Sequence, residues 1–120
     1  DVVAEVGSFL VARANALRER GAAAERIVLD PGIGFGKTMA HNLELLVRQQ
    51  ELTELGYPLL LGWSRKSTLG TLTGRAAAER VSASVAAALA GLQRGAHIVR
   101  VHDVAETVDA IKVWRAAKLL

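Results

Sequence analysis

Arg26-Ile-Val-Leu-Asp30-Pro-Gly-Ile-Gly-Phe-Gly-Lys37 is the stretch that decides the fold. A short apolar run, closed by Asp30-Pro31-Gly32, reads as a buried strand that ends in a turn. A strand without polar alternation is covered on both faces, as in parallel sheets. The same grammar returns twice downstream. Pro58-Leu-Leu-Leu-Gly62 runs into Trp63-Ser-Arg-Lys-Ser67, and the run from Ala96 to Val101 ends in His102-Asp103.

Helical patterns separate these runs. Val2, Val6, Phe9, Leu10 and Leu17 recur at helical spacing, which predicts a helix from about Val2 to Arg20 with Gly21 as its stop. Leu43, Leu46, Val47 and Leu55 mark a second helix, with Asn42 as its cap and Gly56 as its stop. Val81, Val85, Leu89 and Leu92 mark a third, ending at Gly95, whose alanines and Gly91 predict close packing on a sheet. Asp103 and Glu106 have capping-box spacing, and Val104, Val108, Ile111 and Trp114 are expected to line the inner face of a fourth helix.

The order α-β-α-β-α-β-α implies an α/β chain with parallel strands and right-handed crossovers. Doubly wound sheets and barrels both satisfy this order. A barrel needs eight strands, so three strands make either a small open sheet or the last part of a barrel. No linker interrupts residues 1–120, which read as one domain.

Composition excludes several classes. Hydrophobic residues are 51% and charged residues 22%, an ordinary globular mixture. The longest stretch without a charge, Val81 to Gln93, is too short for a membrane span of about 20 residues. With no cysteine, disulfides, zinc knuckles and thiol chemistry are excluded. The net charge is +3, but there is no basic stripe and aromatics are only 4%, so no nucleic-acid partner is expected. The chain opens on Asp1 without a signal-peptide pattern and is expected to be a piece of something longer.

Polar residues gather where the strands end, the edge at which parallel α/β folds build sites. Strand parity sets Arg100 and His102 on one face, with Val99 and Val101 on the other, and lets Val28 and Asp30 share a face. An arginine on an apolar strand needs a partner, either an internal one (Asp30 or Asp103) or an anionic ligand. Gly32, Gly34 and Gly36 match no dinucleotide or Walker pattern, so a turn with positive φ and a phosphate loop both stay open. Phe35 is a candidate stacking residue, and Lys37 is expected to be solvated. Ser64-Arg65-Lys66-Ser67 can form an anion site at a helix start or a solvated charge run. His41 is expected at the surface or in a cap, and His97 as an outward structural residue. Three histidines do not predict a metal site from this segment alone.

Asp30-Pro-Gly-Ile-Gly-Phe-Gly-Lys37, Gly62-Trp-Ser-Arg-Lys-Ser67 and Arg100-Val-His-Asp103, in this order and spacing, resemble the dihydropteroate synthase family of pterin-binding enzymes. The similarity runs over essentially the whole chain. It implies the C-terminal portion of a TIM (β/α)8 barrel, with three parallel strands and four helices in this segment. It also implies condensation of 6-hydroxymethyl-7,8-dihydropterin pyrophosphate with p-aminobenzoate to 7,8-dihydropteroate and pyrophosphate. The implied pterin-binding residues are Asp30, Gly62 and Lys66. Those for p-aminobenzoate are Gly34, Phe35, Lys66 and Ser67, and those for pyrophosphate are Ser64, Arg65, Arg100 and His102. Lys66, Arg100 and His102 are the implied catalytic residues. Mg²⁺ is implied as cofactor, with its ligands outside this segment. The family resemblance further implies a cytoplasmic homodimer, sulfonamide sensitivity and no membrane partner. The segment alone is expected to be inactive. Two alternatives remain: a pterin-binding barrel that moves methyl groups from a folate to a corrinoid, and a non-catalytic pterin binder.

Overall fold

The computed structural model describes residues 1–118. Asp1 opens the first helix, α1 (Val2–Glu19), because its Oδ1 accepts the N–H groups of Val3 and Ala4 at 3.0 and 3.1 Å. The fully buried residues of α1 are Val3, Gly7 and Ala14; of the predicted set, Val2, Val6 and Leu10 pack half-buried against the core, whereas Phe9 and Leu17 are exposed. Gly7 lets α1 approach closely, with Leu52 and Leu55 both 3.8 Å from where its Cβ would lie.

The second predicted helix is two. α2 (Met39–Val47) and α3 (Gln49–Thr53) meet at Arg48, whose guanidinium binds Asp1, Glu44 and Glu51. The cap of α2 is Thr38, not Asn42. Thr38 Oγ1 accepts the His41 N–H at 3.1 Å, and His41 Nδ1 accepts the Thr38 N–H at 3.4 Å, so the capping expectation for His41 is met.

Strand pairing is shorter than predicted. Leu29 joins Leu59 through a single parallel bridge, and β1 (Leu60–Leu61) pairs with β2 (Ile98–Val99) in parallel register, Leu60 opposite Ile98 and Leu61 opposite Val99. The run at Ile27–Leu29 has a neighbour on one side only, and Pro31 has no N–H with which to continue a ladder. Parity holds nevertheless. Leu29, Leu59, Leu61 and Val99 face the helices, and Leu59 is fully buried. Burying one leucine contributes about 1.5–3 kcal/mol. Val28, Leu60 and Ile98 share the opposite face, which is open: Val28 and Ile98 are 43% and 42% exposed.

Three further helices follow. α4 (Ser67–Thr73) was not counted among the four predicted helices; Gly74, with φ 71°, ends it. α5 (Val81–Gln93) packs on β1 as expected, since a Cβ at Gly91 would lie 2.5 Å from Leu61 Cδ1. The buried Gln49 amide closes the C-terminal end of α5, donating to the Gly91 and Arg94 carbonyls at 2.8 and 3.1 Å. α6 (Val104–Lys118) turns Thr107 inward, with Ile111 and Trp114 half-buried. Val104 and Val108, expected on that inner face, are exposed. The Asp103 carboxylate is not a cap here, because it is taken by Arg65. Among the described residues, no helix is long and apolar enough to cross a membrane.

Candidate active site

Asp30 and Arg100 meet across Gly62. The three stand on successive parallel segments and on the same, open face of the sheet. Arg100 Nη1 donates to Asp30 Oδ2 at 3.1 Å, while Asp30 Oδ1 accepts the Gly32 N–H at 2.9 Å. The Arg100 side chain reaches Asp30 by lying over Gly62. A Cβ there would sit 3.0 Å from Arg100 Cζ and 3.2 Å from Nε, closer than packed atoms allow. Of the two internal partners open to Arg100, the structure selects Asp30. Both groups stay accessible, with side chains 55% and 38% exposed, so the pair can open to a ligand.

The glycine loop is a tied turn. Gly32, Gly34 and Gly36 all have positive φ, from 59° to 84°, where a side chain would be strained. Lys37, expected to be solvated, instead spans the loop. Its ammonium donates to the Gly32 and Phe35 carbonyls at 2.8 and 3.0 Å. Asn42 was missed as a site residue. It is buried, its Oδ1 accepts the Gly34 N–H at 3.0 Å, and its Nδ2 donates to Thr68 Oγ1 at 3.0 Å. The signal was available: Asn42 lies three residues before Leu45 on a helix, so it shares the buried side and needs partners there.

Lys66 closes the loop from the other side. Its Nζ donates to the Ile33 carbonyl and lies 4.7 Å over the Phe35 ring. A Cβ at Gly34 would be 3.0 Å from Lys66 Cδ. Burial, and then the nearby Arg100 charge, push the Lys66 ammonium below the usual lysine range, against the opposing pull of Asp30. Phe35 itself is 68% exposed and offers a free ring.

The remaining predicted residues divide. Arg65 does not face the cleft as a free anion ligand. It pairs with Asp103, with Nη2 to Oδ1 at 2.7 Å and Nε to Oδ2 at 3.3 Å. That hydrogen bond lowers the Asp103 carboxyl and raises the Arg65 guanidinium. Ser64 is buried. Its Oγ lies 2.8 Å from His102 Nδ1 and accepts the His102 N–H at 3.1 Å, so it orients an imidazole that remains exposed. Ser67 is exposed as the first residue of α4. His97 lies at the surface, its Nδ1 accepting the Leu59 N–H at 3.3 Å, as a structural histidine should.

Gly62, Ser64, Lys66, Arg100 and His102 therefore line one cleft at the C-terminal strand edge. The cleft holds an ammonium, a guanidinium and an imidazole, and the Asp30 carboxylate joins it through its pair with Arg100. A carboxylate binds the donor edge of a planar heterocycle, and the clustered cations bind an anion beside it. Among the described residues, no three His, Asp or Glu side chains gather closely enough to hold a metal ion.

The chain is similar to known proteins in sequence and in fold. The model of the family described as pterin binding enzyme matches residues 1–102. Dihydropteroate synthase of Neisseria meningitidis serogroup B is 58% identical over 120 residues, covering 97% of this chain and 42% of that protein. The Escherichia coli K12 enzyme is 46% identical, over 97% of this chain and 41% of its own length. The chain thus spans less than half of these relatives. Among solved structures, Xanthomonas albilineans dihydropteroate synthase in complex with 7,8-dihydropteroate superposes with a TM-score of 0.98 at 52% identity, covering all of this chain and 46% of that one. The Stenotrophomonas maltophilia enzyme, with imidazole bound in its active site, gives 0.96 at 58% identity, over 98% and 45% of the two chains. The chain belongs to the pterin binding enzymes and forms part of a TIM barrel.

Proposed function

We propose that this chain serves in a dihydropteroate synthase, as part of a single pterin-binding barrel domain. The reading rests above all on Asp30 and Arg100 meeting across Gly62 with Lys66 beside them. Asp30 binds the amino-pyrimidinone edge of the pterin. Arg100 and His102 take the pyrophosphate, with Ser64 holding the imidazole in orientation. Phe35, Gly34, Lys66 and Ser67 form the p-aminobenzoate end. Arg65 contributes through its pair with Asp103 rather than as a pyrophosphate ligand.

In the reaction the aniline nitrogen forms a bond to the pterin methylene carbon. The carbon–oxygen bond breaks, pyrophosphate leaves with the electron pair, and the proton lost by the nitrogen passes to solvent water. Positive groups aimed at the leaving oxygens stabilise charge as it develops. Lys66, with its lowered pKa, releases a proton more readily than an ordinary lysine. Mg²⁺ is proposed for the whole protein, where it would neutralise pyrophosphate charge. Its ligands are expected outside this segment, and the isolated chain is expected to be inactive. A cytoplasmic homodimer that binds sulfonamides completes the proposal. A structure of the Yersinia pestis enzyme with a sulfonamide drug supports the last point.

The test is product formation by the full-length protein from dihydropterin pyrophosphate, labelled p-aminobenzoate and Mg²⁺, beside Lys66→Ala. Labelled dihydropteroate that disappears in the variant is the expected result. Pterin binding without product would refute the synthase.

A further inference from the structure

Arg65 is the one described non-glycine residue with a left-handed backbone, at φ 58°. Such a residue persists only where its surroundings hold it. Three elements hold this one. Its N–H donates to Ser84 Oγ at 2.9 Å, its carbonyl accepts Arg80 Nη1 at 2.8 Å, and its side chain takes Asp103. Ser84 in turn donates to the Arg80 carbonyl at 2.5 Å. Arg80 also donates through Nε to the Arg75 carbonyl at 2.9 Å, closing the loop between α4 and α5. Its guanidinium lies against Gly70, where a Cβ would be 2.7 Å from Nε.

Lys66 follows Arg65 directly and precedes α4, which has no side-chain cap of its own. The placement of Lys66 and Ser67 therefore depends on the turn at Arg65. We propose that Arg80 is a positioning residue: by bonding the Arg65 carbonyl and packing under Gly70, it sets Lys66 and Ser67 for p-aminobenzoate. This rests on the p-aminobenzoate site proposed above. Asp30 and Arg100 lie on other segments and make no bond to this network, although Lys66 feels the charge of both. The effect should thus fall mainly on p-aminobenzoate and less on the pterin substrate.

The experiment uses the full-length protein with Arg80→Lys and, separately, Gly70→Ala. Lysine is a single point donor and cannot bond both carbonyls from one rigid fork. An added methyl at Gly70 displaces the same guanidinium. Each variant should raise KM for p-aminobenzoate about tenfold or more, since small misplacements of positioning groups are amplified in this way. The dissociation constant for the dihydropterin pyrophosphate should rise by a clearly smaller factor. An unchanged KM for p-aminobenzoate, equal losses for both substrates, or loss of folded structure in both variants would overturn the proposal. Wild-type protein that makes no dihydropteroate would instead overturn the reading of the site.

Discussion

Replacing Gly62 by alanine in the full-length protein should separate stability from binding. Gly62 does not have positive φ, so alanine fits its backbone, and the narrowed unfolded state favours folding by about 0.4–1 kcal/mol. Against this stands the Arg100–Asp30 pair, which the new methyl would break. With side chains 55% and 38% exposed, that pair stabilises the fold by no more than about 1 kcal/mol. The two effects nearly offset, so the melting temperature should hardly move. Ligand binding has no such compensation. The guanidinium must leave its path over Gly62, and losing one hydrogen bond from a charged group costs about 1.5–3 kcal/mol. That is a loss of roughly tenfold to 150-fold in affinity. Calorimetric titration with dihydropterin pyrophosphate reads the loss, and a thermal melt provides the control. An unchanged dissociation constant together with intact stability would refute the reasoning, because Arg100 would then not need the space that Gly62 leaves.

Asn42→Ala should destabilise the fold by about 1–3 kcal/mol in urea unfolding, since it strands the Gly34 N–H and frees Thr68; it should also raise KM for p-aminobenzoate by loosening the loop. Asp103→Asn tests the pair with Arg65 through pH. The Asp103 carboxyl is lowered in the folded state, so its stabilisation is complete above the ordinary carboxylate range and disappears as pH falls through the folded value. The stability gap between wild type and variant should therefore be constant near neutrality and close below about pH 4. A gap that survives in strong acid would show that the pair contributes nothing of this kind.

The site was more legible in the sequence than the details of the fold. Side-chain alternation depends only on local backbone, so parity placed Asp30, Arg100 and His102 on one face before any pairing was known. Strand length depends on neighbours, and the apolar run at Ile27–Leu29 has only one, so it makes a single bridge. A helix start near Ser67 is legible as an anion site, but the extent of the helix at Ser67–Thr73 is not, because its short run has little amphipathic period and no cap of its own. Asn42, expected as a cap, and Arg65, expected to hold pyrophosphate, are both taken by tertiary partners that sequence alone does not show: Gly34 and Thr68 for Asn42, Asp103 for Arg65. Nothing in one dimension shows that Arg80 reaches back to the Arg65 carbonyl.

The tied glycine loop carries a consequence for how this site can change over generations. Lys37, Asn42 and Asp30 hold the loop entirely through backbone atoms, at Gly32, Gly34 and Phe35. The ring of Phe35 takes no part in that scaffolding beyond its contact with Lys66, and it points into solvent. Mutational tolerance is therefore unevenly shared. The glycines are fixed by backbone geometry, whereas the aromatic surface offered to a ligand can be exchanged without dismantling its support. Selection by a molecule competing for that ring would find its open route at Phe35 and a closed one at the glycines on either side.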